Sequence, residues 1–391
     1  MTDFPAGFLW GTATAAHQVE GGNWNNDWWA WEHTPGTACV EPSGDSVDHL
    51  WRYPADLDIM RGLGFGSYRF SLEWSRIEPE PGEFSSAALD HYQRVIDACH
   101  ERGMQACVTF HHFTTPRWAA ASGGWNDPAI VDRFIRYVEV AAERLGPSID
   151  MACTINEPNV VSSLGYLAGQ FPPGVAGDLA AYVQANDLLV AAHRAAVPVL
   201  RAAGDFPVGV TVSMSDWAAE PGAEDQIPVW RAPHEDTFLD ATDGDDFVGV
   251  QAYTRMRVGP EGIVGPEPGV EVVDMGYEYW PTAAEASIRR AAEVTGLPVY
   301  CTENGIGTTD DPRRIAYLRD SLRGVARTIA DGLDVRGYFH WSLLDNFEWA
   351  HGYRMQFGLV AVDRETQART VKPSAAWLAE VMRTGSIDAA G

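Results

Sequence analysis

The feature that most limits what this chain can fold into is an alternation. Short runs rich in β-branched and aromatic residues are followed repeatedly by longer segments with helical periodicity. The runs are Phe8–Thr12, Gly66–Trp74, Gln105–His112, Met151–Glu157, Val208–Met214, Phe247–Tyr253, Val299–Glu303 and Arg336–Leu343. Helical patterns fall at about 54–63, 86–102, 128–145, 178–203, 282–296, 311–331 and 373–383. The connection after Met214 reads mostly as loop, with a short helix near 235–240. Eight strand–helix units of about 49 residues each predict an α/β fold: one (β/α)8 barrel domain over 1–391, with loop insertions at its C-terminal face. An open doubly wound sheet fits less well. No Gly-x-Gly-x-x-Gly follows an early strand, and Gly62-x-Gly64-x-Gly66 precedes one and reads as a helix stop. There is thus no dinucleotide fingerprint and no phosphate loop.

Chemistry in such a barrel sits at the C-terminal ends of the strands. Those ends carry Gln18 and Glu20, Arg69 and Glu73, His111-His112, Asn156-Glu157, Tyr253, Glu303-Asn304, and Trp341 followed by Asp345, Glu348 and Trp349. A ring of carboxylates, amides, imidazole and indole suits sugar hydrolysis: hydroxyls need acceptors, a pyranose face needs an indole, and bond cleavage needs two carboxyl groups. Glu157 and Glu303 stand out because each directly follows an apolar strand and has an adjacent Asn. The fourth and seventh strands lie on opposite sides of a closed eight-stranded barrel, so the two carboxyls are expected to face each other across its mouth. Adjacent strand residues point to opposite faces, so His111 and His112 do not read as a metal pair.

Composition narrows the partners. The 28 Lys+Arg against 54 Asp+Glu leave a net charge of −26. That disfavours nucleic acid and anionic membranes, which need cations to displace counterions, and favours a neutral or cationic small molecule. The 15 tryptophans suit ligand platforms or a Trp-rich core equally. The five cysteines, Cys39, Cys99, Cys107, Cys153 and Cys301, show no Cys-x-x-Cys spacing and read as small buried hydrophobes in a reducing compartment, with no disulfide framework and no zinc. The first residues carry neither a basic region nor an apolar stretch, and no apolar run approaches about 18 residues, so a cytoplasmic protein without leader or membrane span is expected.

Several blocks carry a closer likeness. Thr154-Ile155-Asn156-Glu157-Pro158 resembles the acid/base motif of glycoside hydrolase family 1, the β-glucosidase and β-galactosidase family, and Thr302-Glu303-Asn304-Gly305 resembles its nucleophile motif. The stretches 8–21, 68–77 and 341–349 are similar to further blocks of that family, and the likeness runs in order from Phe4 to about Leu378. The resemblance implies a retaining β-glycosidase, most simply a β-glucosidase, acting on a terminal non-reducing sugar without cofactor or metal. It implies Glu303 as nucleophile, Glu157 as general acid/base, and Arg69 and Tyr253 as partners of the nucleophile. It implies Gln18, His112, Asn156, Trp341, Glu348 and Trp349 as the residues that hold the sugar. An acid at 348 with no nearby Lys implies an unphosphorylated sugar.

The chain departs from the family pattern where Phe113 replaces a usual Trp and where Gln251-Ala252-Tyr253 replaces Asn-Tyr-Tyr. Phe171-Pro172-Pro173-Gly174 also replaces a His-containing version, and the 254–275 and 304–311 stretches look trimmed. These changes fall on the leaving-group side, which is expected to be more open. The alternatives are a β-galactosidase or β-fucosidase, or a transglycosidase, on the same site. A non-catalytic sugar binder would have no use for the carboxylate pair, and a metal hydrolase would need a His-x-His on the first strand that is absent. The preferred sugar, the leaving group and the oligomeric state are not specified by the sequence.

Overall fold

The computed structural model describes residues 3–390. Eight parallel strands form its centre: β1 (Leu9–Ala13), β2 (Ser67–Ser71), β3 (Gln105–His111), β4 (Met151–Asn156), β5 (Val208–Ala219), β6 (Phe247–Gly259), β7 (Val299–Asn304) and β8 (Val335–Trp341). Each pairs with the next, and β8 pairs with β1, so the sheet closes into a barrel. Around it lie α1 (His49–Leu63), α2 (Ser86–Glu101), α3 (Ile130–Leu145), α4 (Leu179–Ala203), α5 (Ala283–Thr295), α6 (Asp311–Ala330) and α7 (Pro373–Thr384).

The strands were legible as unbroken runs because both faces are covered. Every residue of β2 and β4 is buried, one face in the barrel interior and the other under helices. The helices show the ends their sequences call for. Ser85, Asp178 and Asp310 accept from the backbone N–H of Ala88, Ala181 and Arg313, pairing donors that the first turn leaves free. Gly64 closes α1 at φ 89°, which accounts for the helix-stop reading of that glycine segment.

Three expectations need correction. Helix α1 begins at His49 rather than near residue 54, so Pro54 lies inside it. The segment after Met214 is not mainly loop: β5 runs on to Ala219, pairing Asp216 through Ala219 with Arg255 through Val258 of β6. These residues are only partly covered, so no apolar run marks them. Strand β6 then turns back on itself through Gly262–Val264. Helical turns also start earlier than the expected 235–240, at Gln226–Arg231, and continue through residue 242. Among the described residues no helix is long and apolar enough to cross a membrane.

Candidate active site

A cavity of about 260 Å³ lies at the C-terminal mouth of the barrel. Strand ends supply His112, Glu157, Ser213, Tyr253, Glu303 and Trp341, and the loop after β8 adds Glu348 and Trp349. Phe113, Val160, Phe171, Met275, Tyr277 and Phe357 complete the wall. Glu157 and Glu303 thus share one cavity.

Glu303 is held by three donors. Arg69 Nη1 donates to its Oε1 at 2.6 Å, Gln251 Nε2 to the same oxygen at 2.7 Å, and the Tyr253 hydroxyl to Oε2 at 2.7 Å. Arg69 is fully buried and spans further: its Nη2 donates to Asn156 Oδ1 at 2.5 Å, as does Gln251 Nε2 at 2.8 Å. Asn156 is therefore locked through its oxygen, and its buried Nδ2 finds no acceptor in the protein. That N–H pair is free for a ligand hydroxyl. Burial pushes the Glu303 carboxyl up from its usual range, while the Arg69 cation and the Tyr253 hydrogen bond pull it back.

Glu157 has a different environment. It sits at φ 44°, ψ 57°, between the end of β4 and a short helix starting at Pro158, and its backbone N–H donates to Thr211 at 2.8 Å. Burial raises its carboxyl well above the ordinary value, and the neighbouring charge of Glu303 raises it further. Burial also lifts Glu348 to about 8, again with help from Glu303. Three carboxyls thus share one guanidinium. Ionising all three would leave two buried charges unmatched, so the charge settles on Glu303, which touches the cation, and protons stay on the other two.

The opposite side of the cavity is aromatic and amide-rich. Gln18 Nε2 donates to Glu348 Oε2 at 3.1 Å and to the Phe347 carbonyl at 2.7 Å, and its buried Oε1 is unpartnered. His112 stacks on Trp341 at 5.8 Å and on Trp349 at 6.2 Å. Burial holds its imidazole well below its usual pKa, so it is neutral, and Nδ1 has no partner. Trp349, at φ 50°, packs on Trp28 at 4.6 Å and Phe113 at 4.9 Å. Among the described residues no Lys or Arg lines the cavity. His111 points the other way, edge-on to Trp125 at 5.1 Å, and no group of three His, Cys, Asp or Glu among the described residues is arranged to hold a metal ion.

Of the sequence candidates, Glu157, Glu303, Tyr253, His112, Trp341, Glu348 and Trp349 line the cavity. Arg69 and Gln18 stand just behind, bonded to Glu303 and Glu348, and Asn156 stands behind Arg69, from which it accepts. The sequence reading missed Ser213, because it drew no residue from the end of β5. It treated Gln251 only as a departure, although this side chain joins Glu303 to Asn156. Met275 and Tyr277 were also missed; they come from the segment after β6, Met275 at the end of the 254–275 stretch that looks shortened and Tyr277 just beyond it.

Comparison with known proteins places this geometry. A family model described as "Glycosyl hydrolase family 1" matches residues 1–242 and 251–386. Beta-glucosidase A of Thermotoga maritima is 32% identical, over 98% of this chain and 99% of that protein. The crystal structure of beta-glycosidase BGL167 superposes with a TM-score of 0.91 at 47% identity, covering 98% of each chain. The Thermotoga maritima beta-glucosidase in complex with noeuromycin gives a TM-score of 0.91 at 31% identity, covering 99% of this chain and all of the other.

Proposed function

The chain belongs to glycosyl hydrolase family 1, and from that premise we propose that it is a retaining β-glucosidase with Glu303 as nucleophile and Glu157 as general acid and base. The substrate is a small β-glycoside or oligosaccharide, cut at its terminal non-reducing, unphosphorylated glucose. The observation that carries the assignment is the asymmetry of the pair: Glu303 is paired with a cation, and Glu157 is not.

In the first step Glu303 attacks the anomeric carbon while Glu157 gives its proton to the departing oxygen. The glycosidic C–O bond breaks and an ester to Glu303 forms. Forming the ester removes the charge on Glu303. That charge is one of the causes of Glu157's raised pKa, so its loss lowers that pKa and keeps Glu157 ionised when it must act as base. It then takes a proton from water, whose oxygen attacks the anomeric carbon and breaks that carbon's bond to Glu303. Tyr253 and Gln251 keep donating to the carboxylate as it leaves and returns.

Asn156 Nδ2, Gln18 Oε1, His112 and Glu348 hold the sugar hydroxyls, with Trp341 and Trp349 against its faces. A cavity without Lys or Arg, and with Glu348 in its wall, supports a neutral sugar over a phosphorylated one. The five unpaired cysteines support a reducing, cytoplasmic setting.

Azide separates the two carboxyls. Glu303→Gly leaves a hole beside the anomeric carbon and should lose about 10⁵-fold in kcat on every substrate, azide restoring turnover as the α-glycosyl azide. Glu157→Ala should keep the first step on a dinitrophenyl glucoside, stall on an alkyl glucoside, and give the β-azide. An α-azide from Glu157→Ala, or near-normal hydrolysis of dinitrophenyl glucoside by Glu303→Gly, overturns the assignment. A panel of nitrophenyl glucoside, galactoside and fucoside tests the sugar.

A further inference from the structure

A second cavity, of about 500 Å³, opens on the outer rim of the barrel and shares no lining residue with the catalytic one. Its walls come from the segment after β1, the segment after β2, and the first turns of α1 and α2. Helices that follow barrel strands begin at the C-terminal face, so this cavity lies at the same end of the molecule as the catalytic mouth.

Two tryptophans line it, Trp24 at 62% exposed and Trp51 at 74%. The other tryptophans of the chain are buried or partly buried. An indole left in water forgoes one of the largest apolar gains available to a side chain, so two of them at one concavity call for a ligand with flat apolar faces.

A second, independent observation points the same way. Asn23 lines the same cavity, is only 3% exposed, and its Oδ1 receives no hydrogen bond. A buried acceptor is ordinarily paired. Two donors that line the same cavity are committed elsewhere: Arg76 Nε and the Tyr92 hydroxyl both donate to Glu20, each at 2.8 Å. His91 and Arg94, one turn apart on α2, line the same space and bring further donors.

We propose that this cavity is a second carbohydrate site, taking a β-linked gluco-oligosaccharide. Pyranose faces lie on Trp24 and Trp51, one hydroxyl donates to Asn23 Oδ1, and hydroxyl oxygens accept from His91 and Arg94. Flat C–H faces edged by hydroxyls match bare indoles beside a lone buried acceptor. With a net charge of −26, an anionic lipid surface is a poor occupant. The identity of the sugar rests on the β-glucoside reading of the catalytic site.

The test uses full-length protein carrying Glu303→Gln, which cannot turn substrate over. Calorimetric titration with cellotetraose should show two classes of site. Adding Trp24→Ala and Trp51→Ala should weaken one class by at least about tenfold and leave the other in place, with melting temperature as the check on folding. Asn23→Asp, which replaces the amide but retains an acceptor, should keep that class. A single class of site untouched by the tryptophan changes overturns the proposal. So does a protein whose tryptophan changes turn a dimer into a monomer in sedimentation without altering sugar binding, which would make the face a contact between copies. Failure of the glucoside reading is seen separately, as absence of nitrophenyl glucoside hydrolysis by the unaltered enzyme.

Discussion

Glu303 and Glu157 face one cavity with the same side chain and unlike walls. Behind Glu303 stand a guanidinium, an amide and a phenol, all within 2.7 Å of its oxygens. Near Glu157 the structure supplies Ser213 and a strained backbone, but no cation in contact. Burial acts on both and raises both, so the difference between an anion and an acid is made by the donors each wall provides. The contrast teaches that the charge on a carboxyl here is set by donors from other strands, Gln251 and Tyr253 on the adjacent β6 and Arg69 on β2, not by residue type.

Removing the cation breaks the contrast most severely. Arg69→Met strands a buried Glu303 carboxylate, which answers by taking a proton, and kcat/KM should fall about a thousandfold. The acid limb of the pH–rate profile reports Glu303 losing its proton, so it should move to higher pH. An unmoved acid limb in a variant that still melts cooperatively would show that Arg69 does not set the charge.

Tyr253→Phe removes one donor and leaves the cation. The loss is that of a hydrogen bond to a charged group, about 1.5–3 kcal/mol, or roughly tenfold to a hundredfold in kcat/KM. The acid limb should shift in the same direction as for Arg69→Met, by less. Equal shifts would mean that the two donors act as one unit rather than as separate supports.

Glu348→Gln tests the other wall and has the smallest effect. Above about pH 8, where Glu348 is ionised, a charge-assisted hydrogen bond to a sugar hydroxyl becomes a neutral one, weakening kcat/KM on nitrophenyl glucoside by about 1–2 kcal/mol, and on the 6-deoxy sugar by less. Glu348 titrates at about 8, so its charge bears on Glu157 in the alkaline range. Losing it lowers the Glu157 pKa, and the basic limb should move to lower pH. Equal losses on both sugars would show that Glu348 does not contact the 6-hydroxyl.

Much of this was legible in the sequence because barrel strands buried on both faces announce themselves as apolar runs, and because the fold puts functional residues where those runs stop. Glu157, Tyr253 and Glu303 stand at such ends, whereas Arg69 lies in the middle of β2. What was illegible depends on pairing beyond the barrel. Asp216–Ala219 and Arg255–Val258 form a ladder beyond the barrel, where partial exposure of most of these residues erases the pattern. Met275 and Tyr277 reach the cavity from the chain that follows, and that chain is anchored by Arg255, which pairs with Glu267 at 2.6 Å and with Glu278 and lies over Trp280 at 4.0 Å. Those partners are set by tertiary packing, and no local spacing encodes them. Gln251 was visible as a letter, but its bridge between Glu303 and Asn156 follows only from the closure of the barrel.

Three cavity residues, Phe113, Glu157 and Trp349, hold φ values of 69°, 44° and 50°, a region that side chains avoid. Each such residue costs on the order of 1–3 kcal/mol that the rest of the molecule must offset. Selection for thermal endurance alone therefore pulls against selection for turnover at these positions. A laboratory lineage bred only to survive heating would be drawn toward glycine or asparagine at 113, 157 and 349, gaining robustness while its catalytic mouth lost definition. This chain carries two large aromatics and a glutamate at those positions, the residues that define the cavity wall.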